Sequence, residues 1–262
     1  MDQPAATTRD VSEPSTPEEP PVRVEIRGAV ALLTIDRPKR RNALNPTALD
    51  ALAAAFRDAA ADPSVRCIVL QGAGGHFCAG ADLKEMEDSA FDARIAATLD
   101  DLSTLPTPTV AAISGACRGL GMQLALACDL RVVDDDATFA IPSARLGLAV
   151  NHWTVHRLAL TLGTGTARHL LLAAAVLDSD DMYRLGFTQV RGGLDAAMGL
   201  AHEIASLAPL AQAAAKVGLA ELEREPHGPE YAAAYDAAWA SEDFAEGTKA
   251  FTDRRAPTFR GR

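Results

Sequence analysis

The sequence is short of three things that would each commit it to a class. It carries four cysteines, Cys67, Cys78, Cys117 and Cys128, each alone in an apolar stretch and none in a CxxC pair. Without paired spacing neither a zinc knuckle nor a disulfide framework is indicated, and the thiols read as reduced core side chains. Long hydrophobic runs are missing too: none approaches the roughly 18 residues of a membrane span. The first 20 residues have no hydrophobic centre of the kind a secretory leader needs, so a soluble, cytoplasmic protein is expected. Positive charge is the third shortage, with 25 Lys and Arg against 35 Asp and Glu and a formal charge of −10. Nucleic acid and anionic membranes both demand clustered cations, so neither is expected as the main partner. An anionic ligand would have to find its cations locally.

What the chain has is apolar mass. At 262 residues and 48% hydrophobic content it can bury the core of one enzyme-sized unit, with or without a helical appendage. Residues 1–21 are rich in Pro, Thr and acidic side chains and too poor in apolar ones to offset their ordering entropy, so a disordered tail is expected there. From Val22 the pattern alternates through Val24 and Ile26, turns at Arg27-Gly28, and resumes at Val30, Leu32 and Ile35, as a β-hairpin does. A helix over Pro46 to Ala61, a buried strand over Cys67 to Leu70 and a glycine-rich loop over Gly72 to Gly80 make one strand-helix-strand unit. A second unit runs from a helix over Ile95 to Leu105, through a Pro106/Pro108 break, to a strand over Thr109 to Ile113. The glycine-rich turn Ser114 to Gly121, a helix over Met122 to Ala127 and a strand over Leu130 to Val133 complete it.

Beyond Ala159 the chain reads as Ala- and Leu-rich helix: His169 to Ala175, Ala196 to Leu207, Leu210 to Glu223 and Glu230 to Ala240. The class is therefore α/β, with a core over 22–190 and a helical region over 191–262. Helices of such shallow relief pack either on their own domain or on a neighbouring subunit, and composition leaves both open.

Three segments carry the chemistry. Arg37, Lys39, Arg40 and Arg41 place four cations within five positions of an acidic protein, which suits phosphate contact as well as solvation. The loop His76 to Leu83 and the turn Ser114 to Gly121 follow strands and are built from small residues. Such turns can aim main-chain N–H groups at an oxyanion, with a helix start adding its positive end; a plain packing turn is the other reading. Neither loop fits the GxGxxG or GxxxxGK nucleotide fingerprints.

Taken in order, these segments resemble the enoyl-CoA hydratase (crotonase) family: Arg37-Pro38 through Arg41-Asn42-Ala43-Leu44, then Phe77-Cys78-Ala79-Gly80-Ala81-Asp82-Leu83, then Gly119 through Met122-Gln123-Leu124-Ala125-Leu126-Ala127-Cys128-Asp129. The resemblance extends from about Val24 to Arg260. It implies a crotonase (ClpP-like) fold of repeated ββα units, a C-terminal helical trimerisation region, and trimers or hexamers. It also implies a coenzyme A thioester as ligand, no further cofactor and no metal. By position, the N–H groups of Ala81 and Leu120 would form the oxyanion hole. Arg40, Arg41, Ala43, Ala79, Asp82 and Leu83 would contact CoA, and Arg254 would reach a neighbouring subunit's ligand.

The family's two catalytic glutamates correspond to Gln123 and Ser143, and the aspartate of some relatives corresponds to Asn151. An amide does not titrate and an unassisted hydroxyl is a poor base, so each loss is expected to remove roughly two to four orders of magnitude in rate. The resemblance is nearest to a mycobacterial branch that binds acyl-CoA without those glutamates. Three readings follow: an acyl-CoA holder in lipid metabolism, an active hydratase, isomerase or thioesterase using His152 as base or acid, or an interaction module for fatty-acid synthesis proteins. Glu85 and Glu87 are further candidate acids, and Trp153 is expected to line the acyl channel or pack its helix.

Overall fold

The computed structural model describes residues 20–82, 89–146, 149–222, 240–255 and 257–262, with the isolated positions 233 and 237. The expected tail, Leu83, Glu85, Glu87 and nearly all of the helix expected over Glu230 to Ala240 lie outside these residues. Strands β1 (Val22–Arg27) and β2 (Val30–Ile35) form the expected antiparallel hairpin, closed by Gly28-Ala29 with Gly28 at φ 64°. Strands β3 (Cys67–Gly72), β4 (Thr109–Ile113), β6 (Leu130–Val133) and β9 (Val190–Arg191) continue the sheet in parallel, in the order β1-β2-β3-β4-β6-β9.

Both faces of this sheet are covered, which is why its inner strands are largely apolar on both faces rather than alternating. Ala31, Leu33 and Ile35 of β2 face one core, shared with α1 (Pro46–Ala61), α2 (Ser89–Thr104) and α3 (Leu120–Ala127). Val30 and Leu32 face the other, closed by Ala197, Met198, Ala201 and Ile204 of α6 (Leu194–Ala205). Core packing therefore continues beyond residue 190. Helix α1 begins where Asn45 accepts the Ala48 N–H at 2.9 Å and Pro46 takes the first helical position, which has no use for an N–H.

A second, three-stranded sheet was not legible. Strands β5 (Ala116–Arg118) and β7 (Thr138–Ala140) pair in parallel, and β8 (Val176–Asp178) joins antiparallel to β7. Each has three residues, too few for a period to show, and β5 lies inside the segment read as a glycine turn. The helix expected at His169 is the end of the longer α4 (His152–Leu172), kinked at Gly163 (φ 77°, ψ 154°). Helix α5 (Ser179–Arg184) opens with a capping box between Asp178 and Asp181. Helix α7 (Pro209–Glu221) is tied to the core by Lys216, whose ammonium meets Asp129, and α8 (Glu242–Asp253) ends the helical region. Among the described residues no helix is long and apolar enough to cross a membrane.

Candidate active site

The site forms where the three singled-out segments meet. After β3 the chain runs beside β5: Phe77 N–H donates to Ser114 O at 2.8 Å, Cys78 N–H to Ala116 O at 2.9 Å, and Arg118 N–H to Cys78 O at 2.9 Å. Leu44 then bridges to Ala81, with Leu44 N–H donating to Gly80 O and Asp82 N–H to Leu44 O. The Gly80 carbonyl on one side of Ala81 and the Asp82 N–H on the other are thus paired, while the N–H of Ala81 has no acceptor among the described residues. Leu120 is the first residue of α3, so its N–H is one of the donors a helix start leaves over. It too has no acceptor among the described residues.

The two donors can neighbour each other because the crossing is made of glycine. A Cβ on Gly121 would stand 2.2 Å from Cys78 O, and one on Gly80 (φ 117°) would stand 3.7 Å from Leu120 N. The left-handed turn before α3 falls on Gly119 (φ 54°), not on Leu120, so a leucine beside the hole carries no backbone strain.

These donors open onto a cavity of about 610 Å³, walled by Ile95, Ala96, Leu120, Ile141 and Val150 and lined also by Gln123, Ser143 and Asn151. The positions that the resemblance singled out for acid and base therefore converge on one space. Ser143 sits half-buried in the 3-10 turn Pro142–Leu146. Asn151 caps α4, accepting the Thr154 N–H at 3.0 Å and the Thr154 hydroxyl at 2.7 Å; that hydroxyl accepts from Gln123 Nε2 at 2.9 Å. Gln123 is 9% exposed and Thr154 fully buried.

The other residues that the sequence singled out are spread more widely. His152 is exposed and does not line the cavity; its ring lies 6.0 Å from that of His156, one helical turn on. Trp153 packs on the main core beneath the Arg157 guanidinium, 5.4 Å from its ring centre, so it serves the helix and not the channel. Arg37 turns inward, its guanidinium donating to Ala43 O and standing 3.5 Å from the buried carboxylate of Asp82, so Asp82 and Ala43 serve the loop. Lys39, Arg40 and Arg41 are exposed, and Arg41 O accepts from the N–H of Ala79, which lines the cavity. Arg254 is exposed, with φ 55°, and does not line this chain's cavity.

Two residues that sequence reasoning passed over matter here. Asn42, fully buried with φ 60°, accepts Arg37 N–H at 3.0 Å and donates to Ala73 O at 2.8 Å and His76 O at 2.6 Å, pinning the basic loop to the glycine loop. Asp92, exposed in the first turn of α2, is the one ionisable side chain among the described residues lining the cavity. Its signal was weak: an aspartate near a helix start is ordinarily explained by the helix dipole.

The cysteines contribute no nucleophile. All four are free and buried, and burial holds the thiols of Cys67, Cys78 and Cys128 up at about 12, with Cys117 also pushed well above its ordinary value. No cluster of three metal-ligating side chains occurs among the described residues.

A mixed sheet covered on both faces, with a pair of main-chain donors opening onto an apolar cavity, suits acyl transfer and enolate chemistry. The profile of the enoyl-CoA hydratase/isomerase family matches residues 25–262. The chain belongs to that family. Over 242 residues it is 41% identical to "Probable enoyl-CoA hydratase echA6" of Mycobacterium tuberculosis, covering 91% of this chain and 99% of that protein. It is 34% identical to carnitinyl-CoA dehydratase of Proteus mirabilis over 253 residues, covering 90% and 97%. The solved enoyl-CoA hydratase from Mycobacterium tuberculosis H37Rv is 32% identical and superposes with a TM-score of 0.81, covering 93% of this chain and all (100%) of that one. An enoyl-CoA hydratase/carnithine racemase from Magnetospirillum magneticum, 29% identical, reaches 0.86 over 92% and 96%. The fold of this enoyl-CoA hydratase/isomerase family member is thus the crotonase fold, with its C-terminal helical region present.

Proposed function

We propose that this family member holds an acyl-CoA thioester without hydrating it. The observation that carries the reading is the make-up of one cavity: two main-chain N–H groups without acceptors among the described residues beside apolar walls, with an amide, a hydroxyl and an amide at the lining positions where hydration needs titrating groups. A thioester oxygen between Ala81 and Leu120 would find two preorganised donors, each worth roughly 3 to 4 kcal/mol to a developing oxyanion. Gln123 and Asn151 cannot deliver or remove a proton near neutral pH, and Ser143 has no basic partner among its described contacts.

Arg40 and Arg41, with Lys39, form a cationic rim beside Ala79 that complements the phosphates of CoA through charge-assisted contacts, and the apolar walls take the acyl chain. Arg254, exposed and outside this cavity, is assigned to the ligand of a neighbouring copy in a trimer or hexamer.

The test pairs calorimetry with saturated acyl-CoAs against steady-state assays on crotonyl-CoA and longer enoyl-CoAs. Measurable heats with no turnover are expected, and robust turnover sinks the reading. Asp92 supports a second reading, an active enzyme drawing on that carboxylate for proton transfer, since it lines the same cavity. Turnover that Asp92→Asn abolishes would establish it.

A further inference from the structure

The antiparallel hairpin decides where the N-terminal segment joins the fold. Val22 pairs with Ile35, the last residue of β2, and Pro21 O accepts the Asp36 N–H at 2.8 Å. Arg23 Nε donates to the Asp36 carboxylate at 2.5 Å, fixing the same junction through side chains. Because β2, β3 and β4 run parallel, this is also the end of the sheet from which the loops of the site emerge: the basic loop after β2, the glycine loop after β3 and the turn after β4. Ligands of such sheets bind at the carboxyl ends of the strands, and the chain ahead of β1 is delivered to that end.

The junction stands beside a concentrated charge. Lys39, Arg40 and Arg41 belong to the densest run of cations in the sequence; all three are exposed, and none has a carboxylate partner among the described residues. Lys39 follows Asp36 by three residues and Arg41 by five, so at most about 11 to 19 Å of chain separates them from the junction. On the other side of the junction the sequence has the opposite sign: residues 1–19 carry Asp2, Asp10, Glu13, Glu18 and Glu19 against Arg9 alone. They precede the span matched to the family, which begins at residue 25. Glu18 and Glu19 stand three and two residues from Pro21, and 19 residues can span up to roughly 65 Å, so every rim cation is within range. With a formal charge of −10, the protein offers an acidic segment few other attractive places. Tethering favours the contact further, since a segment joined to its target by a few residues meets it at an effective concentration in the millimolar range.

We infer that the acidic segment 1–19 docks on the Lys39-Arg40-Arg41 rim of its own chain and competes there with the phosphates of CoA. The inference rests on the thioester reading above where it names CoA as the competitor, and it adds a device that sets affinity. Each exposed carboxylate–cation contact is weak and screened, so the segment lowers affinity without closing the cavity.

The experiment compares the full chain with one carrying Asp10→Asn, Glu13→Gln, Glu18→Gln and Glu19→Gln together. By titration calorimetry at low ionic strength the neutralised chain should bind decanoyl-CoA about fivefold tighter. The gain should vanish at about 1 M salt, where screening acts within about 3 Å. In a background of Arg40→Ser and Arg41→Ser the same neutralisation should change affinity by less than about twofold. Equal affinity of the two chains, or a gain that persists in salt or without the two arginines, overturns the inference. A second readout needs no CoA: a water-soluble carbodiimide should join Lys39 Nζ to a carboxylate of residues 10–19, in a product with the mass of a single chain, located by peptide mass spectrometry. Absence of that link, or a link that joins two chains, is equally fatal. Binding of decanoyl-CoA with neither link nor gain overturns this inference alone. A link in a protein that binds no decanoyl-CoA in either form upholds the docking and overturns the thioester reading.

Discussion

The cavity has two walls of different make. One is main chain: the N–H groups of Ala81 and Leu120, held by loops tied together through the backbone bonds of Leu44, Cys78 and Arg118. The other is side chain: Gln123, Ser143 and Asn151, linked in part through Thr154. A main-chain donor survives almost any substitution that keeps the backbone path, whereas a side-chain acid disappears with one codon. A family can therefore lose its chemistry while retaining its thioester site, and the two walls should respond to different perturbations.

The main-chain wall should break hardest at Gly121. A Cβ there would lie 2.2 Å from Cys78 O, an atom already accepting from Arg118 N–H, so neither backbone can yield without opening the crossing. Gly121→Ala should destabilise the fold by roughly 3 kcal/mol or more, lowering the melting temperature by roughly 6–12 °C, and abolish acyl-CoA binding. Gly199→Ala, in α6 with open space around it, is the control and should leave the melting temperature unchanged or raised. Equal melting temperatures for the two variants would show that the crossing tolerates separation.

Behind the same wall lie Cys78 and Cys117, paired across the β-bridge that joins the loops. Burial raises the folded-state pKa of Cys78 to about 12 from an ordinary 9.0. A raised pKa means the protonated thiol is the form the fold favours, so its stabilisation is complete below pH 9 and is lost as the pH climbs from about 9 towards 12. Cys67 and Cys128 act in the same direction over the same window. Denaturant midpoints should be flat from pH 7 to about 8.5 and fall steadily above about 9, with native-state thiol labelling slow until that fall begins. Rapid labelling of all four thiols at neutral pH would contradict the burial of this wall.

The rim outside both walls should respond to salt. Replacing Arg40 and Arg41 by Ser removes two exposed cations with no carboxylate partner among the described residues, so folding should be nearly indifferent. Acyl-CoA affinity should drop about tenfold at low ionic strength and lose much of its salt dependence. Unchanged affinity in the double variant would remove the rim from the ligand.

How much of this was legible follows the same division. Long elements with a clear period, such as α1 from Pro46 to Ala61 and the strands at Thr109 and Leu130, lie where alternation or helical spacing places them. The three-residue strands β5, β7 and β8 were invisible because their hydrogen bonds depend on partners tens of residues away. Gln123, Ser143 and Asn151 could be named from motif order, and the structure brings them to one cavity. His152 could not be excluded, because its neighbour Asn151 lines the cavity and nothing in sequence says on which residue the helix turns its back. Arg37 looked like a fourth rim cation, and only the loop's closure around Asn42 turns it inward. Thr154 left no trace at all: a threonine inside a helix is unremarkable until its hydroxyl is seen between two amides.

The smallest effect expected belongs to the side-chain wall itself. Gln123→Glu places a titrating group where this wall lacks one, yet it leaves untouched the phosphate contacts and apolar burial proposed above to hold a saturated acyl-CoA. Its dissociation constant should therefore move by less than about threefold. Turnover of crotonyl-CoA should stay at background for a separate reason. A carboxylate at 123 would compete with Asn151 Oδ1 for the single proton of Thr154, and Ser143 would still be unable to supply the second proton transfer. Only a variant that also changes Ser143 to Glu completes an acid–base pair across the cavity. Hydration by the single variant would show that one side chain separates the two walls; silence from the single variant and activity from the double would show that the chemistry is lost at both positions together.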